Sequence, residues 1–229
     1  MNVAFPLPHP VQPRGSRLAS AILKSAGWEL HFEGLPTLQG VFVVYPHTSN
    51  WDFVVAVLAK WALGVQVIFW GKDSLFTIPL LGRWLRWLGA IPAVRDAPGG
   101  LVGQAIAALQ QAQRLQRYCW LGLAPEGTRK RTAGWRSGFY QTALRAHVPL
   151  CLVHLDYAKH RVVATHFLRL SGDTAQDMST IAACFVGVQG YRPHAASPIT
   201  LLRSEPASVP DDRAKTTRPT PRPGDNSRV

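Results

Sequence analysis

Apolar residues fall along the chain in two alternating patterns. Short runs rich in β-branched and aromatic residues predict strands at 40–45, 65–70, 90–94, 118–123, 150–157 and 161–167. Between them, apolar positions recur every three or four residues over longer stretches, which predicts helices at 16–28, 52–63, 77–88, 101–117, 138–146 and 175–187. Strands alternating with helices pack as layers. The pattern therefore predicts the α/β class, a single domain with a mixed, mostly parallel central sheet flanked by helices. The patterned region spans 16–202; residues 1–15 are Pro-rich, 203–229 are Pro-rich and basic, and both read as irregular tails. Ligands of such sheets gather beyond the carboxyl ends of the strands, which directs the search for chemistry to the loops that follow them.

A chain of 229 residues suits one domain with a sizeable core, and 47% apolar content with 8 Trp excludes disorder for most of it. Lys and Arg outnumber Asp and Glu by 25 to 13, a formal charge of +12. That surplus predicts an anionic partner: nucleic acid, an anionic membrane surface or a phosphorylated substrate. Cys119, Cys151 and Cys184 are odd in number and far apart, which predicts three buried reduced thiols rather than a disulfide framework or zinc site. No histidine spacing suggests a metal ligand set, although His154, Asp156 and His166 can face one another across paired strands.

Two further stretches bear on membranes. Residues 54–70 are apolar, but Lys60, Gly64 and Gln66 interrupt them short of the roughly 20 residues a spanning helix needs. A buried helix followed by a strand fits better. The stretch 79–88 sets Trp84, Trp87, Arg83 and Arg86 among leucines, as expected of a helix lying at a bilayer interface; packing on the sheet with its arginines reaching outward is the plainer alternative. Residues 16–28, with Arg17 and Lys24, form a weaker interfacial candidate. Pro6, Pro8, Pro10 and Pro13 break any continuous apolar run of the kind a secretory signal carries.

The sharpest chemical signal is Pro46-His47-Thr48-Ser49-Asn50-Trp51-Asp52, directly after a predicted strand. In a turn, this spacing folds the carboxylate back onto the imidazole. A carboxylate on one ring nitrogen fixes the tautomer, leaves the other nitrogen free to accept a proton, and stabilises the imidazolium that forms. His47 with Asp52 is thus a candidate general base. The alternative is that Asp52 N-caps the next helix and His47 is a hydrogen-bonded loop residue, and both roles can coexist. A second signal, Pro125-Glu126-Gly127-Thr128-Arg129-Lys130-Arg131, also follows an apolar strand. It offers a carboxylate, a flexible glycine, a hydroxyl and cations as a cradle for a phosphate or polar head group, or else it is an exposed basic turn. Around Trp135, Phe139 and Tyr140 the chain reads as core or as the lining of a site entrance.

Taken in order, His47 with Asp52, Gly71-Lys72-Asp73-Ser74-Leu75-Phe76, Gly89-Ala90-Ile91-Pro92 with Arg95, Pro125-Glu126-Gly127-Thr128-Arg129 and Val148-Pro149 resemble the blocks of the glycerolipid acyltransferases, the 1-acyl-glycerol-3-phosphate acyltransferase group. The resemblance covers about 40–155. It implies a glycerol-3-phosphate acyltransferase-like fold and acyl transfer from a thioester, acyl-CoA or acyl carrier protein, to the hydroxyl of a lysophospholipid. No metal, no further cofactor and no covalent acyl-enzyme are implied. His47 would be the base, Asp52 its orienting acid, and Glu126, Gly127, Thr128, Arg129 and Arg95 the acceptor-binding set. Lys72 would add a point charge. For Lys72 and Arg95 a merely solvated cation is the alternative, and Pro149 equally reads as a proline opening a strand. The chain departs from the usual wording at Pro46, Val94 and Ala124, where Asn, Asp and Phe are common. The acceptor is thereby left open between 1-acyl-glycerol-3-phosphate and another amphipathic alcohol or lyso-aminolipid.

A site that meets both an acyl chain and a charged head group belongs at the boundary of water and lipid, so a peripheral protein on the cytoplasmic face of an anionic membrane is expected. A basic nucleic-acid-binding protein without enzymatic activity is the rival from another class. No nucleic-acid module is recognisable, many cations lie beside the motifs, and no nucleic-acid partner is expected.

Overall fold

The computed structural model describes residues 15–93 and 99–202. Arg95, Val94 and nearly all of both expected tails lie outside the described residues. Helix α1 (Arg17–Ser25) starts at Ser16, whose hydroxyl accepts the Ala19 N–H at 3.2 Å, as an N-cap does. Strands β1 (Glu29–His31) and β2 (Gln39–Tyr45) follow, then helix α2 (Trp51–Leu63), β3 (Ile68–Gly71), helix α3 (Pro79–Trp87) and β4 (Ala90–Pro92). The second half runs helix α4 (Gly100–Arg114), β5 (Cys119–Leu123), helix α5 (Gly138–Arg145), β6 (Leu150–Asp156), β7 (Arg161–Leu168) and helix α6 (Thr174–Cys184).

The strands form one seven-stranded sheet in the order β1-β7-β6-β2-β5-β3-β4. From β6 to β4 all neighbours are parallel; β7 is antiparallel to β6, and β1 pairs parallel to β7. The expected mixed, mostly parallel α/β sheet is therefore what forms. Alternate residues of β2 divide between its two faces. Val41, Val43 and Tyr45 join the core under α4, α5 and α6, while Phe42 packs with Leu23 of α1 and Val55 and Ala59 of α2. A smaller cluster of Phe76, Leu85 and Ala90 seats α3 beside the sheet edge. Trp135, Phe139 and Tyr140 are core.

All six predicted helices and six predicted strands form, with shifted ends. The strand expected from 65 begins at Ile68, because the Val65 N–H still bonds to the Lys60 carbonyl at the close of α2. Pro79 at the first position of α3 delays that helix beyond 77. The edge strand β1 escaped prediction: three residues, Glu-Leu-His, carry no alternation to read, and pairing with β7 makes the strand. Cys119 and Cys151 are buried free thiols as expected, whereas Cys184 is only half-buried.

Candidate active site

Strands β2, β5 and β3 are neighbours running the same way, so the loops after Tyr45, Leu123 and Gly71 emerge at one edge. The turn after β2 carries His47, and α2 begins at Trp51. Asp52, in the first turn of α2 and 1% exposed, points back into that turn. Its Oδ2 accepts the Thr48 N–H at 2.6 Å and the Ser49 N–H at 2.7 Å, and stands 3.3 Å from His47 Nδ1. Asp52 does not N-cap the helix: the cap position is Asn50, with no side-chain capping bond. It caps the preceding turn instead, and holds the imidazole with the same oxygen. Burial pushes the Asp52 carboxyl up, but the His47 ring and the Ser49 N–H outweigh it, leaving the group below its ordinary value and ionised. The tautomer with its proton on Nδ1, facing Oδ2, leaves Nε2 of His47 as the acceptor, and the His47 side chain is 20% exposed.

The loop after β5 meets this turn directly. Glu126 is 1% exposed; Oε2 accepts the His47 N–H at 2.6 Å and Oε1 accepts the Ser197 N–H at 2.8 Å. A carboxylate expected to face the acceptor is thus engaged inside the fold, tying the His47 turn to the C-terminal segment. Burial raises its pKa, and the Ser197 and His47 N–H groups offset part of that. Gly127 has φ +65°, and a Cβ there would sit 2.8 Å from Arg136 Nε, so only glycine lets the Arg136 side chain lie across the turn. The Thr128 hydroxyl accepts the Lys130 N–H at 3.3 Å, and Arg129 is exposed on the same loop. Lys72 is exposed just after β3. The sheet edge therefore gathers His47, Asp52, Glu126, Gly127, Thr128, Arg129 and Lys72.

Several contributors went unread in the sequence. The Arg192 N–H donates to the Thr48 hydroxyl at 3.1 Å, and Gly190 packs so closely that a Cβ would meet Thr48 Oγ1 at 2.7 Å and Pro46 Cβ at 3.0 Å. The Ser197 hydroxyl lies 3.0 Å from that of Thr132, and the Trp135 N–H donates to the Thr200 carbonyl at 2.6 Å. Residues 189–202 thus brace both motif loops. They do so largely through main-chain groups, which leave no residue-type signal in a sequence.

An apolar cavity of about 250 Å³ borders the pair. His47 and Asp52 line one part of it, and Phe42, Val44, Phe53, Val57, Phe69 and Val153 line much of the rest. Lys60 also borders it, with Nζ donating to the Leu88 carbonyl and its pKa lowered by burial. An imidazole and a carboxylate beside an apolar chamber, with cations on the loops outside, suit a molecule that is part hydrocarbon and part anion. Away from the site, His154 stacks on His166 at 4.9 Å, and Asp156 instead takes the Ala158 N–H at 3.1 Å. Among the described residues no group of three His, Cys, Asp or Glu is placed to hold a metal ion, and no helix is long and apolar enough to cross a membrane.

No curated protein matches the sequence. Among solved structures, the chain resembles the crystal structure of the 1-acyl-sn-glycerophosphate acyltransferase from Thermotoga maritima, with 16% identity, a TM-score of 0.47, and coverage of 72% of this chain and 73% of that one. Residues 28–155, which carry the His47 turn, the Glu126 loop and strands β2 to β6, match the family model described as Acyltransferase. With more than half of its length so matched, the chain belongs to the acyltransferase family.

Proposed function

We propose that the protein transfers a fatty acyl group from a thioester, acyl-CoA or acyl carrier protein, to the hydroxyl of a lysophospholipid, with 1-acyl-glycerol-3-phosphate the leading acceptor. The observation that carries this reading is the His47–Asp52 pair, Nδ1 to Oδ2 at 3.3 Å, bordering an apolar cavity of about 250 Å³. In the reaction, His47 Nε2 takes the proton of the acceptor hydroxyl as its oxygen attacks the thioester carbonyl carbon. The carbon–sulfur bond then breaks, and the thiolate leaves with the proton returned from the imidazolium. Asp52 keeps the ring oriented and stabilises its charge. A thioester is already activated, so a placed base and a dry acyl pocket carry much of the rate. Arg129 and Lys72, with Arg95, are proposed to hold the phosphate, and Gly127 and Thr128 to shape its loop. Glu126 acts by fixing the His47 turn. No cofactor beyond the acyl donor is proposed.

We place the protein peripherally on a membrane, at its cytoplasmic face. Helix α3 buries Leu85 but leaves Leu80 82% and Trp87 69% exposed, with Arg83 and Arg86 beside them. Trp87 contacts Trp61 of α2 at 5.3 Å, and Trp51 and Val54 continue the exposed apolar surface along α2. Aromatic and aliphatic groups flanked by arginine suit the interface of an anionic bilayer.

The test is thiol release from acyl-CoA in the presence of lysophosphatidate. Wild type is expected to turn over and His47→Ala to lose about 10² to 10⁴ of the rate; equal turnover by the two would remove His47 from the mechanism. A panel of lysolipids and lyso-aminolipids compared by kcat/KM identifies the acceptor.

A further inference from the structure

Two buried polar atoms beside the candidate base have no hydrogen-bond partner, Asp52 Oδ1 and the Tyr157 hydroxyl. The other oxygen of Asp52 is crowded, with the Thr48 and Ser49 N–H groups and His47 Nδ1 all on Oδ2. A carboxylate gripped by one oxygen can still swing about its Cβ–Cγ bond, and a donor on the second oxygen is what would stop it. Tyr157 stands immediately after β6, the strand that flanks β2. Its ring is packed edge-on against Trp28 at 4.9 Å and against Tyr191 at 5.4 Å, and its N–H donates to the Gln189 carbonyl at 2.8 Å.

The phenol and the carboxylate border the same turn: Gln189 and Tyr191, which contact Tyr157, flank Gly190, which packs on Thr48, whose N–H binds Asp52. Burial first, then the Asp52 charge, pushes the Tyr157 hydroxyl far above its ordinary value, so it keeps its proton; the same hydroxyl helps hold Asp52 down. Neither atom makes a bond of ordinary hydrogen-bond geometry. The other titratable groups about the pair are His47 on the turn after β2 and Tyr191 on the segment after α6. Position 157 lies beyond the region matched by the family model, which ends at 155.

We propose that Tyr157 is a positioning residue for acyl transfer: its hydroxyl donates to Asp52 Oδ1, fixes the carboxylate, and through it sets the orientation of the His47 imidazole. No proton leaves the phenol. This rests on the reading of His47 and Asp52 as base and orienting acid.

Tyr157→Phe removes the hydroxyl and keeps the ring against Trp28 and Tyr191. The expected result is a fall in kcat of about tenfold with KM for donor and acceptor within about twofold, and a low-pH limb of the rate displaced to higher pH. Because the hydroxyl acts through Asp52, Tyr157→Phe should cost nothing further in an Asp52→Asn background. The same fold loss in both backgrounds overturns the proposal. A readout independent of turnover is the carboxyl carbon signal of Asp52 in NMR, whose titration midpoint should rise by about half a unit or more in Tyr157→Phe. An unmoved midpoint in the folded variant overturns the proposal, whether or not wild type transfers acyl groups, whereas absent turnover in wild type with a moved midpoint overturns the acyl-transfer reading alone. Should the variant not fold, wild type decides: a slowly exchanging Tyr157 hydroxyl proton that shifts in Asp52→Asn supports the bond, and a rapidly exchanging one overturns it.

Discussion

Glu126 and Asp52 are both buried carboxylates beside His47, and their surroundings push them in opposite directions. Asp52 is held below its ordinary value of 3.8 once its bonds outweigh burial, so its stabilisation is present above that value and lost as pH falls through the lower folded one. Glu126 is raised above 4.5 by burial, so the free energy linked to its protonation favours the fold below 4.5 and is lost as pH rises. Urea unfolding of Asp52→Asn should therefore show a shallower loss of stability than wild type as pH drops below about 4. Glu126→Gln keeps one acceptor but sets an amide NH₂ against the second backbone N–H. It should lose about 1–3 kcal/mol in the same measurement and lower kcat, because the His47 N–H or the Ser197 N–H loses its acceptor.

Helices and central strands show how elements hand the site its geometry. The segment after α6 touches the His47 turn so closely at Gly190 that there is no room for a methyl group. Gly190→Ala is expected to retain the fold while lowering kcat about tenfold or more by displacing Thr48, seen as an unchanged circular dichroism spectrum with slowed thiol release. The central elements were legible because their apolar runs must be buried: β2 and β5 read as strands, and the His47 and Glu126 motifs stand directly after them. Helix ends were less so, since the end of α4 is set by Gln116 in a left-handed conformation at φ 51°, which composition does not announce. The second partner of Glu126 was not legible at all. Ser197 reaches it through the main chain from 71 residues away, and any residue but proline can offer that N–H.

On the scale of the molecule, the proposed membrane contact combines the exposed apolar surface with the basic charge. Binding to vesicles containing anionic phospholipid should exceed binding to zwitterionic ones and weaken at about 0.5 M salt. A Leu80→Ser, Trp87→Ser double variant should lower partitioning at least tenfold, by about 1.4 kcal/mol, and leave thiol release from short, soluble acyl donors near wild type. Equal sedimentation of both proteins with vesicles would place the membrane contact elsewhere. The brace formed by residues 189–202 bears on how such enzymes are recombined. A hybrid spliced at 155, where the family-model match ends, would import a foreign clamp for both motif loops; grafting only downstream of 202 would keep Glu126 with the Ser197 amide of its own chain.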